Sequence, residues 1–60
     1  MNQYTVKFEY KDEYSRGKWN SQECLIYANS NEDAIRRCIE IYGLDRENEV
    51  EYKIVDVIKR

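Results

Sequence analysis

The 60-residue chain has no histidine and no proline, and only two glycines, two cysteines and one tryptophan. Zinc needs about four nitrogen or sulfur ligands, which two distant thiols cannot supply, and a dithiol redox motif needs closer spacing than Cys24 and Cys38. No nucleophile has a visible base, no carboxylate is marked as desolvated by its neighbours, and no glycine-rich loop is present to cradle a phosphate. No catalytic residue, metal or cofactor is therefore assigned. A basic excess is also missing: ten bases face twelve acids, for a net charge of −2. Counterion release favours basic proteins on nucleic acid, so a nucleic-acid partner is disfavoured. No apolar run is long enough to span a bilayer, and the N-terminus is too polar for a signal peptide. The expectation is a cytoplasmic protein with no membrane partner.

What is present points to a folded chain. The apolar share of 42% is ordinary and the charged share of 37% is high, a balance of folded and very soluble proteins. Residues 1–60 read as a single compact domain. A domain of this size buries only about 60% of its unfolded surface, which leaves a small core and little room for an enclosed pocket.

Residues 3–10, QYTVKFEY, alternate with period two. Tyr4, Val6, Phe8 and Tyr10 share one face and Thr5, Lys7 and Glu9 the other, the pattern of a half-buried strand. Residues 19–28, WNSQECLIYA, form a second extended run. A three-residue turn at Ser15-Arg16-Gly17, with Gly17 in the left-handed position, would join them as a hairpin. That register sets Phe8 against Cys24, Val6 against Ile26 and Tyr4 against Ala28, all apolar pairs. Its cost is Glu9 opposite Glu23.

Ser30 is a natural N-cap, and Asp33 three residues on completes a capping-box pattern. Ala34, Ile35, Cys38, Ile39 and Tyr42 then recur at helical spacing, and the pairs Glu32–Arg36 and Asp33–Arg37 suit the wet side. Gly43 stops the helix, and Leu44 is placed to fold back on it. Residues 45–49 form a charged loop before a third strand over 50–59. There, Val55, Val57 and Ile58 break the alternation of Tyr52 and Ile54, so the strand is either apolar on both faces or re-phased by a bulge. Both cysteines lie on apolar faces. Two buried free thiols are the expected form, with a strand-to-helix disulfide as the alternative.

These elements predict an α+β fold, ββαβ, with a three-stranded antiparallel or mixed sheet in order 2-1-3. A right-handed crossover would lay the single helix on the face bearing Val6, Phe8, Cys24, Ile26 and Ile54. The other face would show Thr5, Lys7 and Glu9, flanked by Leu25 and Tyr27 on one side and Val55 and Val57 on the other. Those four apolar residues are the candidates for self-association. Two further segments suit a protein partner. The hairpin tip carries Tyr14, Arg16 and Trp19, residue types that dominate interface hot spots. The stretch DRENEVE places Asp45, Glu47, Glu49 and Glu51 in an acidic row fit for a basic surface, without the glycine of an EF-hand calcium loop.

The text "YANSNEDAIRRCIEIYGL" followed by "YKIVDVI" resembles archaeal ribosomal protein LX over most of the chain. That family also runs two strands, a helix start of the Ala-Xaa-Asn/Ser-Xaa-Glu type, a glycine stop and a final strand. The resemblance implies the fold. LX is basic and binds RNA, and the acidic balance here does not extend the likeness to a ribosomal role. In overall profile the chain resembles small phage-encoded proteins: it starts at Met1, ends soon after its last strand, and is rich in Asn, Lys, Glu, Ile and Tyr. Among these, anti-CRISPRs and other anti-defence inhibitors are often acidic single domains that bind a host protein. That resemblance implies a non-catalytic protein-binding module that inhibits a bacterial defence protein by occlusion, in the host cytoplasm. A nucleic-acid-binding module of ribosomal-protein type and an antitoxin-like or structural homodimer are the alternatives.

Overall fold

The computed structural model describes residues 1–46 and 49–60. Glu47 of the acidic row lies outside the described residues. The elements are β1 (Asn2–Asp12), β2 (Asn20–Ala28), α1 (Asn31–Tyr42) and β3 (Val50–Lys59). They build the expected α+β fold, an open sheet in order β2-β1-β3 with both outer strands antiparallel to β1. The helix covers one face. Tyr4, Val6 and Phe8 are buried beneath it, and Cys24, Ala28, Ala34, Cys38, Leu44 and Val50 close around them.

The β1–β2 register lies two residues from the expected one. Val6 faces Cys24, Tyr4 faces Ile26 and Phe8 faces Gln22. An even shift keeps every side chain on its own face, so the apolar alternation fits both registers equally. Charge separates them. The expected register opposes Glu9 to Glu23; the observed one opposes Lys7 to Glu23, with Nζ and Oε1 at 4.0 Å. Glu9 instead meets Lys53 on β3 at 3.3 Å.

β3 is re-phased by a bulge, one of the two expected explanations. Lys7 pairs with Asp56 and Phe8 with Ile54, so Val55 is the extra residue. Val57, opposite Val6, consequently turns inward and packs on the core. This corrects its assignment to the open face and to self-association. Ile58, opposite Thr5, takes that place.

The helix starts and stops where its sequence says. Ser30 Oγ accepts the Asp33 N–H at 3.1 Å. The Asp33 carboxylate reaches back to the Asn29 N–H at 3.0 Å, one residue before the usual capping-box donor. Arg37 Nε also donates to it at 3.1 Å, and Arg36 pairs with both Asp33 and Glu40 rather than with the expected Glu32. At the far end Gly43 takes φ 66°, and the Leu44 N–H bonds Ile39 O at 3.0 Å, which buries Leu44. Tyr42 sits at the rim of the apolar face, edge-on to Phe8 with ring centroids 5.2 Å apart.

The Asn29 amide, helped by the Arg36 and Arg37 guanidiniums, holds the Asp33 carboxyl below its ordinary value of 3.8. A depressed carboxyl contributes stability that is complete above the unfolded value and is lost as pH falls through the folded one. Asp33→Asn should therefore lose less stability than the wild type on acidification below about pH 4, read from urea melts at stepped pH. Parallel acid profiles for the two proteins would contradict this.

Laying α1 along β2 brings Cys24 and Cys38 together, with Cα atoms 6.3 Å apart, and they are joined by a disulfide. Two buried free thiols were the expectation. Each cysteine does lie in the core, but the crossing of helix over strand makes them partners, a fact no local pattern carries.

Candidate functional site

The hairpin end is built by side-chain hydrogen bonds of its own. Asp12 Oδ1 accepts the Tyr14 N–H at 3.0 Å and the Ser15 hydroxyl at 2.8 Å. Ser15 Oγ in turn accepts the Asp12 N–H at 3.2 Å and the Asn20 Nδ2–H at 2.7 Å. Backbone bonds from Ser15 N–H to Asp12 O and from Lys18 N–H to Ser15 O complete two successive turns. This network replaces the expected three-residue turn and accounts for the longer connection. Gly17 adopts φ 79°, as expected, and Arg16 adopts φ 54°. A left-handed backbone is uncommon for a residue with a side chain.

The three tip candidates divide between two places. Tyr14 is 84% exposed at the turn, and Arg16 is exposed beside it. Trp19 belongs instead to the open sheet face. Its ring is contacted by two ammonium groups, Lys11 Nζ at 4.9 Å and Lys53 Nζ at 4.5 Å from the centroid. Cation–π contact with two lysines of the open face settles the indole on the sheet and leaves it 40% exposed.

Next to Trp19 the open face is a lattice of paired charges. Lys11 meets Glu51 at 3.4 Å, Glu9 meets Lys53, and Lys7 meets Glu23. A shallow concavity of about 430 Å³ lies over Lys7, Glu9, Ser21, Glu23 and Val55. At the opposite end the face turns apolar. Leu25 and Tyr27 are 62% and 61% exposed there and Ile58 is exposed opposite Thr5, while Val55, 59% exposed, lies at the rim of the concavity. Thr5 was expected to show on this face. It is 2% exposed, because Arg60 folds over it and donates Nε–H to Thr5 Oγ1 at 3.0 Å. Nothing in the local pattern around Arg60 signalled that contact. The Lys7–Glu23 pair was legible, by scoring opposed charges in each even-shifted register.

The acidic row is not brought together as one surface among the described residues. Asp45 is exposed, Glu49 pairs with Arg46 at 3.6 Å, and Glu51 points to Lys11 on the sheet. Arg46 also donates Nε–H to Gly43 O at 2.9 Å, which places a cation at the negative end of the helix. Among the described residues no cluster of three or more His, Cys, Asp or Glu is placed to hold a metal ion. No described helix is long and apolar enough to cross a membrane.

No protein family matches the chain, and no curated protein or solved structure is significantly similar to it.

Proposed function

We propose that this chain is a non-catalytic protein-binding module that works by occluding a surface of its partner, with the hairpin tip as its leading contact. One observation carries this: the Asp12–Ser15–Asn20 network holds a turn that presents Tyr14 and Arg16 to solvent. A pre-ordered loop loses little freedom on binding, so rigid aromatic and arginine anchors on such a loop bind at low entropic cost. The strained Arg16 backbone fits the same role, since strain is retained where the surroundings over-determine it. Trp19 extends the contact onto the sheet, and Asp45 and Glu49, the latter paired with Arg46, add a weaker, partly neutralised acidic element on the loop that leads into β3. The partner class follows from the resemblance to small phage anti-defence proteins: a bacterial defence protein, blocked by steric cover.

The test is affinity capture from a bacterial lysate with wild type and with a Tyr14→Ala, Arg16→Ala double variant. Both side chains are exposed, so the variant should keep the wild-type circular dichroism and melt. A protein captured by the wild type should be lost or bound at least about thirtyfold more weakly by the variant, the equivalent of one hot-spot side chain at about 2 kcal/mol. Equal capture by both would sink the tip as the contact. Capture of nucleic acid that weakens steeply with salt would favour the ribosomal-type alternative instead.

A further inference from the structure

We infer that the outer edge of β2 pairs with the β2 edge of a second copy of this chain, antiparallel about a twofold axis at Ile26. This surface is separate from the hairpin tip, and it stands or falls independently of the proposed function.

The backbone directions come first. Along a strand, successive residues turn their N–H and C=O groups to alternate sides. Gln3 O accepts the Arg60 N–H, so the odd residues of β1 face β3 and the even ones face β2. Val6 and Tyr4 therefore bond to Cys24 and Ile26, and the backbone groups of Glu23, Leu25 and Tyr27 point to the outside of the sheet. The Tyr42 hydroxyl donates to Glu23 O at 3.4 Å, as that direction requires.

The two edges of the sheet differ sharply. β3 is guarded by the bulge at Val55 and by Lys53, Asp56 and Lys59, the usual devices against edge pairing. From Leu25 to Ala28, β2 has no charge, no proline and no bulge. Among the described residues, no hydrogen bond from outside the sheet reaches the backbone of Leu25 or Tyr27. The free segment is also bounded on both sides. Glu23 O is taken by Tyr42, and the Asn29 N–H is taken by Asp33 at 3.0 Å. Glu23 and Asn29 lie equally far from Ile26, so the open edge is centred on that residue.

An edge of this symmetry matches itself. With the axis at Ile26, Leu25 of one copy lies opposite Tyr27 of the other, and each such pair exchanges both N–H···O bonds. All the free groups of Leu25 and Tyr27 are then satisfied. On the open face the exposed Leu25 and Tyr27 side chains stack against one another across the junction, an aromatic–aliphatic cross-strand pair on each side of the axis. Glu23 falls opposite Asn29 of the other copy, so no like charges meet. An axis at Leu25 would instead set Glu23, whose carbonyl is already engaged, against Tyr27.

The experiment is sedimentation equilibrium over a dilution series for the wild type, a Leu25→Lys, Tyr27→Lys double variant and a Val55→Lys variant. Expected are a wild type that doubles its mass with rising concentration, a double variant that stays monomeric, and a Val55→Lys protein that still dimerises. A wild type monomeric at every concentration overturns the inference. So does a dimer that survives the paired lysines, or one that Val55→Lys dissociates equally, which would place association on the sheet face. Amide exchange gives a readout without substitution. The Leu25 and Tyr27 amides should become protected as concentration rises, and their unchanged exchange in a sample of doubled mass would equally refute edge pairing.

Discussion

Phe8→Ala should leave much of the protein unfolded in water at 25 °C. Phe8 is on the central strand, 1% exposed, with Tyr10 at 6.2 Å and Tyr42 at 5.2 Å between ring centroids. Truncating a buried phenylalanine costs about 3–5 kcal/mol, through lost transfer energy and the cavity left behind. A domain of this length holds only about 3–9 kcal/mol in total, at roughly 0.05–0.15 kcal/mol per residue. The neighbouring strands cannot close the gap, because each is tied to β1 along its length. Phe8→Leu keeps most of the volume and should lose less than about 1.5 kcal/mol. Urea unfolding of the three proteins, followed by tryptophan fluorescence from Trp19 and by circular dichroism, measures the differences. A loss below about 1 kcal/mol for Phe8→Ala would show that the site collapses and that Phe8 is not the centre of the core.

Breaking the Cys24–Cys38 bond is expected to have the second largest effect. It links β2 to α1 across a separation of 14 residues. Closing a loop of about that size removes roughly 3 kcal/mol of freedom from the unfolded chain. In so small a domain, a change of that size should lower the melting temperature by about 12–24 °C, at 4–8 °C per kcal/mol. The comparison is wild type with and without a thiol reductant, alongside a Cys24→Ala, Cys38→Ala variant. Reduced wild type and the double variant should melt together, well below the oxidised protein. Both sulfur-bearing residues lie in the core, Cys38 fully and Cys24 nearly so. A reductant should therefore reach them chiefly when the molecule opens, and the rate of reduction should follow the rate of opening. Coincident melts of oxidised and reduced protein would show that packing alone holds helix to sheet.

The two predictions test different parts of one arrangement. Phe8 reports the apolar contacts that any ββαβ sequence of this pattern would make. The disulfide reports a contact that depends on where the helix crosses β2. The tip and the β2 edge are separate again: substitutions at Tyr14, Arg16, Leu25 or Tyr27 touch exposed side chains and should leave the stability of the monomer nearly unchanged. Loss of binding or of association in those variants would therefore be read as loss of a contact.

By itself the sequence determined what short-range chemistry can determine. Period-two alternation put Tyr4, Val6 and Phe8 on one face and Lys7 and Glu9 on the other. Ser30, Asp33, Gly43 and Leu44 marked the helix ends through bonds that span only a few residues. Strand order followed from the connections. The tertiary structure alone decided whatever depends on groups distant along the chain. Two registers differing by two residues preserve every face, so the alternation was silent between them; opposed charge, Lys7 against Glu23, was the legible signal, and the Asp12–Ser15–Asn20 turn that goes with this register exists only in the fold. The broken alternation of β3 admitted two explanations until pairing with β1 put the extra residue at Val55 and turned Val57 inward. The cysteines were each legible as buried, but they became a pair only when α1 was laid on β2. Arg60 reaching Thr5, across 55 residues of chain, has no local signature at all. The physical reason is common to these cases. Local patterns specify which side of an element meets the core, while register, pairing and edge exposure are set by contacts that exist only after the elements have met.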